Sequence, residues 1–150
     1  MNLETLLKNN LIKKVNPDFK QIHSQLIRAK KDLDTALSIT STDLTWSFAI
    51  TYHSMLRAGR ALMFSKGFLP TTKNTHKTIV DFTKIILGDD YKGLIIRFDR
   101  IRRQRHDFIY DSQNNITSSE VKSALELAEE LFEKIESIIQ KENPQKNIFE

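Results

Sequence analysis

The chain has 150 residues, 39% of them apolar and 28% charged, with a net charge of +4 and a pI near 9.3. That length supports one domain with a real core, read as residues 1–143 with a flexible tail over 144–150 after Asn143-Pro144. The absence of cysteine excludes disulfides, thiol chemistry and cysteine metal sites and fits a cytoplasmic protein, and no apolar run approaches the roughly 20 residues of a membrane span.

In chain order, residues 2–12 form a short helix with Leu3, Leu6, Leu7 and Leu11 on one face. Glu4 and this amphipathic pattern do not make a signal peptide. Asn16-Pro17-Asp18 breaks the chain, with Pro17 suited to a first helical turn. From Asp18 to about Ser38, Phe19, Ile22, Leu26, Ala29, Leu33 and Leu37 recur at helical spacing. Residues 39–43 are a polar break rich in N-cap types. The next helix, Asp43 to Lys66, is apolar nearly all round and is therefore the central one, ending at Gly67 as a C′ residue. Its Ala49, Ser54, Ala58, Gly59 and Ala61 allow neighbours to approach closely. Residues 67–75 read as a loop. A helix from His76 to Leu87 follows, closed by Gly88-Asp89-Asp90.

The fifth helix, Tyr91 to Tyr110, carries five arginines between positions 97 and 105. Leu94, Phe98, Ile101 and Phe108 line one side of it, and Asp99, Arg103, His106 and Tyr110 line a second. Arg105 falls inside the apolar stripe, where an unpaired buried guanidinium would be costly. Residues 111–115 are a turn. Thr117 and Glu120 form a capping box for a last, acidic helix with apolar residues from Val121 to Ile138 at 3.6-residue spacing. No alternating strand pattern and no internal repeat is present. The architecture is all-α: an up-down antiparallel bundle of four to five long helices plus a short N-terminal helix.

Common site signatures such as phosphate-binding glycine loops and His-Glu-x-x-His are absent. The four histidines, His23, His53, His76 and His106, lie on four different elements, so no metal site and no cofactor is expected. His53 reads as a hydrogen-bonded core or interface histidine. Arg57 and Arg60 either bind phosphate or pair with the acidic last helix, whose residues 126–136 otherwise form a solvated face. The 97–111 stretch uses arginine throughout, and arginine is suited to bidentate phosphate contact. His106 is of a residue type suited to a general acid or base. The stretch reads equally as a phosphate-handling site and as a structural ion-pair helix.

Two segments resemble a known family. Tyr52-His-Ser-Met-Leu-Arg-Ala-Gly-Arg-Ala-Leu-Met-Phe-Ser-Lys-Gly-Phe-Leu-Pro70 is similar to the HEPN pattern of an aromatic-rich helix ending in aRALL-x-x-kG-[YF]-x-P, and His76-Lys77 follows at a place where that family often has a histidine. Arg102-Arg-Gln-Arg-His-Asp-Phe-Ile-Tyr-Asp111 resembles its R-x-x-R-[NH]-x-x-x-Y-D segment. The resemblance covers about residues 18–140. It implies a helical bundle that usually dimerises and binds nucleotide or RNA. Many members are metal-independent ribonucleases of toxin–antitoxin or defence systems; others are non-catalytic partners of minimal nucleotidyltransferases. Carried onto this sequence, it makes Arg100, Arg103 and His106 the catalytic candidates, with five residues between Arg100 and His106 in the manner of the family's Arg-x4-6-His. It makes Asp99, Arg102, Arg105, Tyr110, His53 and Arg57 the RNA- or nucleotide-binding candidates. Tyr110 holds the place of a tyrosine that a paired nucleotidyltransferase modifies with AMP in one toxin group. The other readings left open are a catalytically inactive partner and a helical scaffold whose arginines only make intersubunit ion pairs.

Overall fold

A computed structural model describes residues 1–111 and 115–143, with the side chain of Ile109 left aside. The expected tail over 144–150 and the centre of the expected turn at 111–115 lie outside the described residues. The elements are α1 (Leu3–Lys8), β1 (Ile12–Lys14), α2 (Phe19–Ser38), α3 (Leu44–Ser65), β2 (Phe68–Pro70), α4 (Thr75–Leu87), a 3₁₀ turn (Asp89–Tyr91), α5 (Lys92–Tyr110) and α6 (Ser118–Glu142). The all-α bundle is as expected.

Local chemistry explains the helix starts. Asp18 caps α2 by accepting from the amides of Lys20 and Gln21, and Asp43 caps α3 by accepting from Trp46. Thr117 accepts from the Glu120 amide and donates its hydroxyl to the Glu120 carboxylate, as a capping residue does. Gly67, at φ 86°, ends α3 in the left-handed conformation that glycine adopts without penalty. Pro17 stands before the Asp18 cap and not in the first turn.

Two further expectations are corrected. The first helix stops at Lys8 and does not reach residue 12, because Asn9 ends it and Asn10 turns left-handed at φ 57°. The freed residues form β1, which pairs antiparallel with β2, Ile12 opposite Pro70 and Lys14 opposite Phe68. Residues 67–75 are therefore not all loop. Three-residue strands are too short to display an alternating pattern.

Helix α3 is the centre of the bundle and packs against α2, α4, α5 and α6. Small residues set how close it comes. Ser47 and Ser54 donate to the carbonyls of Ala36 and Ala29 on α2, which satisfies both hydroxyls inside the α2/α3 seam. Gly59 faces α4 so closely that a Cβ there would sit 2.5 Å from Ile79 Cγ2. On α5, Leu94, Ile95, Phe98 and Ile101 are buried in the common core. Phe108 meets Phe48 edge to face, ring centroids 5.2 Å apart, which docks the last turns of α5 on α3. Lys66 pairs with Glu142, joining the ends of α3 and α6. No described helix is long and apolar enough to cross a membrane.

Candidate nucleic-acid interface

Docking Phe108 on Phe48 fixes where the polar side of α5 falls. One helical turn past Phe48 lies Tyr52, and the Arg105 guanidinium sits over its ring, 5.8 Å from the centroid. The same guanidinium lies 5.9 Å from the centroid of Tyr110. Arg105 belongs to the apolar stripe by position, yet it is half-buried between two aromatic faces, and among the described residues no ion pair neutralises it.

These three side chains form one end of an open groove of about 630 Å³ whose floor is the outer face of α3. Trp46, Ile50, His53 and Leu56 come from α3, Arg28 and Asp32 from α2, and His76 from the first turn of α4. Trp46 and Tyr110 are 63% and 64% exposed, so two large aromatic surfaces are open to solvent on its walls.

Tyr52 and His76 are a coupled pair. The Tyr52 hydroxyl is 3.1 Å from His76 Nδ1, and the rings meet at 5.6 Å. Burial pushes the Tyr52 phenol well above its ordinary range, against the opposing pull of Arg105 and Arg102. Burial also lowers the pKa of His76, helped by repulsion from Arg105, Arg102 and His53. Both groups are therefore neutral at pH 7. The phenol has no other acceptor among the described hydrogen bonds, so it donates to Nδ1, which leaves the His76 proton on Nε2. The pair thus offers a neutral N–H donor at the groove.

A pH dependence follows from that shift. The folded-state pKa of His76 lies below its unfolded value of 6.5. As pH falls through 6.5 the unfolded chain takes up a proton that the folded chain refuses, so stability falls. The melting temperature of the wild type is expected to drop more between pH 7.5 and pH 5.5 than that of His76→Asn, measured by circular dichroism. Equal slopes would remove His76 from the account.

On the α2 side, Asp32 is buried and paired with two arginines. Arg28 Nε is 3.1 Å from Oδ1, and Arg57 Nε is 3.3 Å from Oδ2. The second contact is an ion pair without hydrogen-bond alignment, since neither atom has a hydrogen-bond partner there. Arg57 also donates to Gln25 Oε1 at 2.9 Å and lies 3.1 Å from His53 Nε2. Arg57 therefore pairs with α2 and not with the acidic α6. His53 is hydrogen-bonded as expected but is exposed at the groove, not in the core.

The structure thus brings Arg105, Tyr110 and His53 together at one groove, with Arg57 behind His53. It does not gather the other candidates there. Arg102 and Arg103 both pair with Asp99, at 2.8 and 3.2 Å. His106 is exposed and rests against Tyr110, ring centroids 5.1 Å apart, at the rim. Arg100 lines a separate cleft between α5 and α6 with Arg97, Gln104 and Glu120. Tyr52, His76, Asp32, Arg28 and Trp46 were not among the sequence candidates. Arg28 and Asp32, four apart on one helix, carried a local signal, and Tyr52 and His76 stood only within the family-like segment.

The fold and groove define a class: a helical bundle that presents arginine and aromatic side chains from its penultimate helix beside its central one. The chain belongs to the HEPN domain family, whose model matches residues 22–138. No curated protein and no solved structure matches it significantly.

Proposed function

We propose that this chain is a nucleotide- or RNA-binding module, one domain over residues 1–143, working as a cytoplasmic homodimer, and that the α3/α5 groove is its binding site. The carrying observation is Arg105, held between the rings of Tyr52 and Tyr110 and in none of the ion pairs among the described residues. A guanidinium fixed in this way suits a phosphate, and exposed Trp46 and Tyr110 offer faces on which bases stack. HEPN membership supports the same reading.

A second reading is a metal-independent ribonuclease of toxin–antitoxin or defence type. His106 against Tyr110 favours it, because an exposed imidazole then stands near the groove. It would take the proton of a 2′-hydroxyl while an arginine stabilises charge on the phosphate. The exposure of Tyr110 also supports its reading as a site of modification by a partner nucleotidyltransferase.

One set of measurements tests these readings. Fluorescence anisotropy with a labelled single-stranded RNA is expected to show salt-dependent binding that Arg105→Ala weakens about tenfold or more. Unchanged affinity in Arg105→Ala would sink the groove. In chelator, loss of cleavage on His106→Ala with affinity retained would support the ribonuclease; cleavage that survives His106→Ala refutes His106 as the base. Intact mass after co-expression with the neighbouring gene product reads modification of Tyr110, and a Tyr110→Phe chain that gains the same mass excludes that site.

A further inference from the structure

Tyr52 is the meeting point of two donors that come from different helices. From α5, the Arg105 guanidinium lies over its ring, 5.8 Å from the centroid. From the first turn of α4, the His76 imidazole reaches its hydroxyl edge, with Nδ1 3.1 Å from the oxygen and the ring centroids 5.6 Å apart. The guanidinium is near enough for its charge to act on the imidazole. With Nδ1 taken by the Tyr52 hydroxyl, the imidazole proton is on Nε2. That nitrogen has no partner among the described hydrogen bonds, and it is not among the buried atoms left without one. It therefore reaches solvent, on a residue that lines the groove. His76 is thus an N–H donor fixed from one side and open on the other, beside a guanidinium that is in none of the described ion pairs.

We propose that His76 is a ligand-contacting residue of the groove, donating its Nε2–H to the phosphate that Arg105 neutralises. This rests on the α3/α5 groove being the RNA- or nucleotide-binding site. The ligand chemistry is a phosphate ester, either a diester within an RNA strand or a terminal phosphate. A phosphate has acceptor oxygens on more than one side, so it can take one bond from the guanidinium and another from the imidazole.

Such a contact is coupled to protons. The groups that face His76 are Tyr52 and His53 on α3 and Arg102 and Arg105 on α5, where Asp99 is already shared by Arg102 and Arg103. On its own helix Lys77 is paired with Asp81, and on the α2 wall Arg28 is paired with Asp32. Burial and then these cations keep the imidazole neutral in the free chain. A bound phosphate offsets Arg105 and sets negative charge against the ring, so the imidazole holds a proton more strongly in the complex. The extra proton goes to Nδ1, and the Tyr52 hydroxyl turns from donor to acceptor. By linkage the ligand binds more tightly as pH falls through the pKa of the complex, and the gain levels off below that of the free chain, which lies under 6.5.

The test is fluorescence anisotropy of the full chain with oligouridine carrying a pH-insensitive label, at pH 7.5 and 6.0, with circular dichroism to check folding. A phosphodiester does not titrate in this range, so a pH dependence belongs to the protein. The wild type is expected to bind about fivefold more tightly at pH 6.0. His76→Ala is expected to weaken binding about tenfold at pH 7.5 and more at pH 6.0. His76→Gln keeps an N–H near the place of Nε2 but cannot gain a proton. It is expected to bind better than His76→Ala at pH 7.5 and to show no pH dependence. Oligouridine with and without a 5′-phosphate separates the two sources: a gain of about tenfold assigns the contact to a terminal phosphate, and equal binding assigns it to the backbone. A wild type that does not bind, or an Arg105→Ala chain that binds as well as wild type, overturns this proposal together with the groove. Binding that needs Arg105 but is unchanged in His76→Ala, or is equal at both pH values, or keeps its pH dependence in His76→Gln, overturns the role of His76 alone.

Discussion

Phe98→Ala is expected to lower the unfolding free energy by about 3–5 kcal/mol, the usual cost of emptying a filled aromatic site. Phe98 is fully buried on α5, between Leu94 and Ile101 on the same stripe. The hole cannot close easily, because the Phe108–Phe48 contact holds the far end of the helix against α3. Domains of this size are stable by only ~5–15 kcal/mol, so the variant forfeits much of its margin. Guanidinium unfolding followed by circular dichroism measures it. A loss under about 1 kcal/mol would mean that α5 is not anchored through Phe98.

Asp32→Ala has the second largest expected effect, a loss of about 2–3 kcal/mol. The Asp32 side chain is 8% exposed and is shared by Arg28 and Arg57. Removing it leaves the guanidinium of Arg57, whose side chain is 27% exposed, without its counter-charge and beside a second cation. Breaking a buried pair costs more than such a pair contributes, since the remaining charge stays desolvated. The figure lies below that of a fully buried pair because Arg28 is mostly in water and Arg57 keeps Gln25 and His53. Urea unfolding of Asp32→Ala and of Asp32→Ala/Arg57→Met makes the check: the double variant should recover part of the loss. A single variant as stable as the wild type would show that the pair holds nothing in place.

Much of the fold was legible in the sequence. The long apolar periods of α2, α5 and α6 and the nearly all-apolar α3 announce a bundle with α3 inside, and Asp18, Asp43, Gly67 and Thr117 mark boundaries through side-chain and backbone chemistry that acts locally. The β1/β2 pair was not legible, since three residues cannot show a period and their partners lie far along the chain. The site was half legible. Arg105 and Tyr110 stood out because arginine in an apolar stripe needs a reason, and the rings of Tyr52 and Tyr110 supply one. In the sequence His76 opens a helix and Tyr52 lies in the aromatic-rich central helix, with nothing to join them. Their pairing exists only after α4 packs on α3, where Gly59 lets the two helices come close.

The small strand pair has a kinetic consequence. Lys14 and Phe68 are expected to pair after the α2–α3 hairpin between them, since that hairpin brings their ends together and spares the chain most of the loop-closure entropy. Thr71, just past β2, donates its hydroxyl to the Asn10 carbonyl, and Thr75 then donates to the Thr71 carbonyl at the start of α4. The next residue is His76. The wall of the groove that carries the imidazole is thus latched to the far N-terminal end, and amide exchange at the start of α4 is expected to report openings that leave α3 closed.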